Sequence, residues 1–180
     1  MRAFIAAGLP EEMKIGLSKV SHLLDSPDIR VVRRENIHLT LAFIGSVDER
    51  GIKTVKNSME RVTFAGFDAE LTGLSCFGNP GAIYSSVTKG SDELRDLAAL
   101  LRSELEKGRI KFDSKEFVPH VTLARIKRHV DDDHLKRLLE RYNGYDFGRF
   151  RISDIALFSS SLGESGSDYT LLYEREGGDI

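Results

Sequence analysis

His38-Leu39-Thr40-Leu41-Ala42 and His120-Val121-Thr122-Leu123-Ala124 place the same polar pair, His and Thr two residues apart, in two otherwise apolar runs. A β-strand alternates its side chains between faces, so His and Thr at i and i+2 share one face and the apolar residues share the other. Imidazole has an unperturbed pKa of about 6.5, so near neutrality one ring can give up a proton while another takes one. Two such rings brought together across a cleft can act as general acid and general base on opposite sides of a phosphorus atom. A threonine hydroxyl beside each ring can donate to a nonbridging phosphate oxygen, where charge grows in the transition state. One such motif has the ordinary explanation of a structural or surface histidine. Its recurrence, with the same apolar alternation, points to a shared site.

Basic residues flank both motifs: Arg30, Arg33 and Arg34 before the first, Arg125, Lys127 and Arg128 after the second. They can add charge toward a phosphate, although Arg33-Arg34 can equally be a solvated strand face. Zinc is the competing use of two histidines, but a third protein ligand at metal-binding spacing is missing. His22, His129 and His134 share no spacing and read as solvated. Asp131-Asp132-Asp133 reads as a helix start, where acid is favourable, rather than as a metal site. No metal and no other cofactor is expected.

The elements that must hold the motifs alternate between strand and helix. Arg2 to Leu9 reads as a strand, and Pro10 opens a helix with Met13, Leu17, Val20 and Leu24 on one face. Ile29 to Arg34 and Ile37 to Gly45 read as two strands with a turn at Glu35-Asn36. In the second, Ile37, Leu39, Leu41 and Phe43 are expected to pack, while His38, Thr40 and Ala42 face a cleft. Asp48 caps a helix carrying Ile52, Val55, Met59 and Val62. Phe67 to Phe77 and Ala82 to Lys89 form a hairpin about Gly78-Asn79-Pro80-Gly81. Ser91 caps the next helix, with Leu94, Leu97, Leu101 and Leu105 inward. Phe117 to Ile126 is the second motif strand, with His120, Thr122 and Ala124 facing out. A helix from Asp131 and strands over Tyr145 to Phe158 and Asp168 to Glu174 complete the chain. Short hairpin connections beside helical ones give an α+β pattern with mixed, largely antiparallel sheets. No linker divides residues 1–180, so a single bilobal domain with a pseudo-twofold relation between its lobes is expected.

With 41% apolar and 30% charged residues the chain has the composition of a soluble globular protein. No apolar run is long enough to span a bilayer, and Pro10-Glu11-Glu12 interrupts the N-terminal run too soon for a signal peptide. The single cysteine, Cys76, excludes an internal disulfide and fits a reducing cytoplasm. A net charge of −2 argues against nonspecific nucleic-acid binding, yet leaves room for an enzyme that grips a few phosphates locally. A cleft within one chain needs no partner to be complete, so a monomer is expected.

The paired motifs resemble those of the two-histidine (2H) phosphoesterases, and in particular the RNA 2',3'-cyclic phosphodiesterase branch, historically labelled 2'-5' RNA ligase. The resemblance extends over Met1 to Ala6, Arg34 to Leu41 followed by Phe43-Ile44-Gly45, Phe117 to Arg125, and Leu157 to Leu162 with Gly166 and Tyr169. It implies a bilobal α+β fold, with two mostly antiparallel sheets flanking a central cleft and helices outside. It also implies hydrolysis, without metal, of a 2',3'-cyclic phosphate at an RNA 3' end or on a small nucleotide. By motif position His38 would donate a proton to the departing 3'-oxygen and His120 would activate water. Thr40 and Thr122 would hold phosphate oxygens, and Arg125 would bind the phosphate. Strict alternation turns Arg125 away from His120, so that last role needs a bulge or an early strand end. Ligation of RNA halves, and noncatalytic binding of RNA ends, are the competing activities.

Overall fold

The computed structural model describes residues 1–164 and 166–178. Strand β1 (Arg2–Ala7) leads to helix α1 (Glu11–His22), with Pro10 at the N-cap. Met13, Leu17, Val20 and Leu24 are buried, as their spacing predicts. A short β2 (Ile29–Val31) and a 3-10 turn at Arg34–Asn36 precede β3 (Leu39–Ser46). Helix α2 (Glu49–Glu60) is capped by Asp48, whose carboxylate accepts from the Gly51 N–H at 2.7 Å. The hairpin of β4 (Phe67–Gly78) and β5 (Gly81–Val87) turns through Asn79-Pro80. Helix α3 (Ser91–Lys107) is preceded by Gly90 at the cap position, not Ser91. Gly90 has φ +78°, and a Cβ there would lie 2.6 Å from the Asp68 carbonyl oxygen, so close approach to β4 decides the residue. After β6 (His120–Ile126), Asp132 caps α4 (Asp133–Arg141), accepting from the Leu135 N–H at 2.6 Å. Three strands end the chain: β7 (Asp146–Ile152), β8 (Asp154–Gly163) and β9 (Gly166–Glu176).

The strands make two antiparallel sheets, ordered β3-β1-β8-β9 and β2-β6-β5-β4-β7. Helices α2 and α3 contact the first sheet, and α1 and α4 the second. This is the expected bilobal α+β architecture, with the His120 motif at the start of β6 in one sheet and Thr40 in β3 of the other, His38 standing immediately before that strand. Two connections differ from the sequence reading. The strands on either side of Glu35-Asn36 do not pair with each other: β2 pairs with β6 and β3 with β1. The expected strand from Tyr145 to Phe158 divides at Ser153, with β7 in one sheet and β8 in the other. Both errors have one cause. Alternation records which face of a strand is buried and carries no information about its neighbour.

The lobes therefore are not the two halves of the chain. The first sheet joins β1 and β3 to β8 and β9, stitching the N- and C-terminal segments together. The apolar sides of both motif strands are fully enclosed: Leu39 and Leu41 in β3, Val121 and Leu123 in β6. Removing a leucine side chain from such a site costs about 2–5 kcal/mol. The polar faces of the motif strands are thus fixed by what lies behind them.

Candidate active site

Both motif strands bulge at the same place. Against β1, Ala6 stands opposite Thr40 and Ile5 opposite Ala42, so Leu41 is an extra residue. Against β5, Tyr84 stands opposite Thr122 and Ile83 opposite Ala124, so Leu123 is extra. An extra residue reverses the alternation beyond it. Leu41 and Ala42 are consequently both buried, as are Leu123 and Ala124, and the exposed face resumes at Phe43 and Arg125. The expectation that Ala42 and Ala124 face the cleft, and that Phe43 packs inside, is corrected by these bulges. The same feature returns Arg125 to the face that carries His120 and Thr122. The fifth residue after the histidine is a phenylalanine in one lobe and an arginine in the other.

Each imidazole is anchored by the carbonyl two residues upstream. His38 Nδ1 lies 2.7 Å from the Asn36 oxygen, and His120 Nδ1 lies 2.5 Å from the Val118 oxygen. A carbonyl only accepts, so Nδ1 carries the hydrogen in both rings and Nε2 is the nitrogen left for chemistry. His38 Nε2 lies 2.8 Å from Thr40 Oγ1. With the ring neutral, the Thr40 hydroxyl donates to Nε2, and it must turn from the ring to serve a phosphate oxygen. Thr122 is half-buried, and its side chain makes no hydrogen bond to any described residue.

Aromatic rings hold both imidazoles from the side. Phe4 stacks on His38 with centroids 4.8 Å apart, and Tyr169 meets the ring edge-on at 5.5 Å. In the other lobe Phe77 and Tyr84 stack on each other at 3.9 Å, and His120 stands perpendicular to both, at 5.2 and 5.4 Å. Nothing in the periodicity marked these four rings as neighbours of the motifs, because strand aromatics read as core. Register against the motif strands is the signal that finds two of them: Tyr84 lies opposite Thr122 in β5, and Phe4 lies in β1 beside β3.

The lobes meet electrostatically at His38. Burial holds its pKa down to about 4, the hydrogen bond to the Asn36 carbonyl opposes this, and electrostatic repulsion from Lys14 and Arg125, and to a smaller extent from His120, lowers it further. His38 is therefore neutral at pH 7. The motif strands β3 and β6 approach each other directly, and α1 packs on β6, which brings Lys14 to the same cleft. Helix periodicity does not say which strand α1 crosses, so the sequence alone does not place Lys14 near His38. Burial pushes the half-buried Tyr169 hydroxyl above its ordinary pKa, so it remains a protonated donor.

The flanking arginines divide into two groups. Arg33 reaches Asp168 at 2.5 Å and also contacts the Ser167 carbonyl and Glu35. Arg34 pairs with Glu11 at 3.1 Å. The side chains of Arg30, Arg125, Lys127 and Arg128 make no hydrogen bond or ion pair to any described residue. Asn36 links the site to β9: its backbone oxygen holds His38, and its side-chain NH2 donates to the Ser167 carbonyl at 2.6 Å. His22, His129 and His134 are exposed and away from the cleft, each bonded to a backbone carbonyl.

The sequence profile of the 2'-5' RNA ligase superfamily matches residues 11–164. The RNA 2',3'-cyclic phosphodiesterase of Aquifex aeolicus is 36% identical over 149 residues, covering 79% of each chain. That of Methanocaldococcus jannaschii is 30% identical over 182 residues, covering 97% of this chain and 99% of its own. Among solved structures, TT0787 of Thermus thermophilus matches with a TM-score of 0.82 at 28% identity, over 98% of this chain and 97% of that one. Escherichia coli LigT complexed with 3'-AMP also gives 0.82, at 24% identity and the same coverage, a likeness of fold. With two carbonyl-anchored imidazoles on motif strands that contact each other and this profile across most of its length, the chain belongs to the 2'-5' RNA ligase superfamily of two-histidine phosphoesterases.

Proposed function

We propose that the protein is an RNA 2',3'-cyclic phosphodiesterase, which opens a terminal 2',3'-cyclic phosphate to a 2'-phosphomonoester without a metal ion. The observation that carries this reading is the matched pair of imidazoles, each with Nδ1 tied to a carbonyl, which leaves Nε2 as the nitrogen for proton transfer. The relatives bearing that activity in their names cover most of the chain.

In the reaction His120 Nε2 takes a proton from water as the oxygen attacks phosphorus. The bond from phosphorus to the 3'-oxygen breaks, and His38 Nε2–H gives its proton to that oxygen, leaving a 3'-hydroxyl and a 2'-phosphate. Arg125 and Thr122 donate to the nonbridging oxygens, and Thr40 joins them once His38 Nε2 is protonated and no longer accepts from its hydroxyl. An acid with a pKa near 4 is empty at pH 7, so the free site is not yet charged for this step. The substrate supplies the remedy. Its phosphate brings a negative charge against Lys14 and Arg125, and this raises the proton affinity of His38. We further infer that the substrate is an RNA 3' end in the cytoplasm and that one chain carries the whole site.

The test is product analysis by phosphorus NMR, with a cyclic-phosphate oligonucleotide, excess chelator and a 5'-hydroxyl acceptor. A 2'-monophosphate formed at the same rate with and without chelator supports the reading. A joined product identifies a ligase, loss of activity with chelator contradicts the metal-free mechanism, and saturable binding without turnover identifies a binding module.

A further inference from the structure

A cavity of about 190 Å³ adjoins the two-histidine cleft, between β2 and β6 on one side and the start of β9 on the other. Its described lining includes Arg30, Arg33, Arg125, Asn36 and Tyr169, and no carboxylate. Arg33 is committed to Asp168 and Glu35, but Arg30 and Arg125 are not. These two are register partners on antiparallel neighbours, with Arg30 of β2 directly opposite Arg125 of β6. Like charges in that relation repel and destabilise a sheet unless an anion lies between them. On its other side Arg125 faces Ala82, which offers no compensating charge. Across the cavity the guanidinium of Arg30 lies against Gly166, where a Cβ would come within 3.0 Å of its nitrogen. The absent side chain leaves Arg30 room to lie across the cavity wall.

Arg125 is also the junction with the reacting centre, since its charge reaches His38. A nucleic-acid chain whose 3' end occupies the cleft carries its next phosphate one nucleotide away. We propose that Arg30, with Arg125 at the boundary, forms a second phosphate subsite that takes the phosphodiester joining the terminal nucleotide to the RNA chain. This rests on the phosphodiesterase reading and adds a substrate preference: an RNA end is favoured over a free cyclic mononucleotide. Guanidinium groups pair bidentately with phosphate, which suits two arginines on one sheet face.

The experiment compares kcat/KM for three substrates: adenosine 2',3'-cyclic phosphate, its 5'-phosphorylated form, and a dinucleotide ending in the same cyclic phosphate. The wild-type protein is expected to favour the dinucleotide, and Arg30→Ala to reduce the dinucleotide-to-mononucleotide ratio about tenfold. Arg30→Lys, which keeps the charge and loses the fork, should fall between them. Binding of an oligonucleotide without a cyclic end should show a salt slope shallower by about 0.7 in Arg30→Ala, the share of one phosphate contact on a single strand. A 5'-phosphorylated mononucleotide matching the dinucleotide supports a subsite for the phosphate itself. The subsite is overturned by equal wild-type rates on mononucleotide and dinucleotide, or by an Arg30→Ala loss that is the same for all three substrates. Turnover of the mononucleotide by wild type keeps that failure distinct from failure of the phosphodiesterase reading.

Discussion

The two motifs share their residue pattern, their bulge and their carbonyl anchor, yet they sit in different surroundings. His38 is enclosed by Phe4 and Tyr169, its Nε2 is held by Thr40, and burial keeps it neutral near pH 7. His120 stands edge-on to a Phe77–Tyr84 stack, with Arg125 on the same face. The fifth residue after His38 is Phe43, and the Arg2 guanidinium lies 5.4 Å over its ring. One lobe therefore offers a proton carrier enclosed by rings, and the other an imidazole with an exposed arginine on the same strand face. The repeated sequence sets where each ring points, and the unrepeated residues around it set what each ring can do.

The largest effect that can break this comparison comes from the rings themselves. His38→Ala and His120→Ala should each lower kcat/KM by about 10²–10⁴-fold on a cyclic-phosphate oligonucleotide. Near-full activity in either would remove that lobe from the chemistry. The matched bulges provide the next contrast. Arg125→Ala should cost about 10–100-fold, the loss of a charged hydrogen bond to phosphate, whereas Phe43→Ala at the corresponding position should stay within about twofold. Comparable losses would show that position, not charge, matters there.

Binding of a non-titrating anion sharpens the difference between the rings. In the free protein His38 takes its proton only near pH 4, and a bound anion raises that value. Sulfate should therefore bind more tightly as pH falls from 7 toward 4, by up to about tenfold per unit for one linked proton. His38→Asn should lose that proton's share of the slope in calorimetric titrations, and an unchanged slope would contradict the linkage. Stability follows the opposite sense. The unfolded chain protonates His38 first, so the stability owed to keeping it neutral is complete above about 6.5 and is lost as pH falls toward 4. Thr40→Ala should slow catalysis less than either histidine variant, because water can replace a single hydroxyl. Leu39→Ala and Leu123→Ala should act equally in the two lobes, each lowering stability by about 2–5 kcal/mol in chemical denaturation while leaving the rate of the folded fraction close to wild type.

Much of this arrangement is legible in the chain. His120 and Thr122 share a face by strand alternation, and extended backbone at the edge of β3 brings His38 beside Thr40 in the same way. Asp48, Asp132 and the turn at Gly78 to Gly81 stand where capping and turn chemistry place them. The rest depends on contacts between distant segments. The bulge after each threonine is a property of pairing with β1 and β5, so alternation alone mispoints Ala42, Phe43, Ala124 and Arg125. Lys14 reaches the cleft through the packing of α1 on β6, and Tyr169 reaches it through β9, which is ordered beside β8 rather than beside either motif strand. Arg33 and Arg34 looked like Arg30 in sequence and are distinguished only by the carboxylates of Asp168, Glu35 and Glu11 that fold against them.

Both imidazoles are expected to act on one phosphorus atom in a single step. A double-variant cycle measures this most directly, using kcat/KM for wild type, His38→Ala, His120→Ala and the double variant on one cyclic-phosphate substrate. Groups that work as a unit are strongly non-additive. The double variant is expected to be no more than a few-fold slower than the slower single variant. Losses that multiply across the cycle would mean that the two rings act independently.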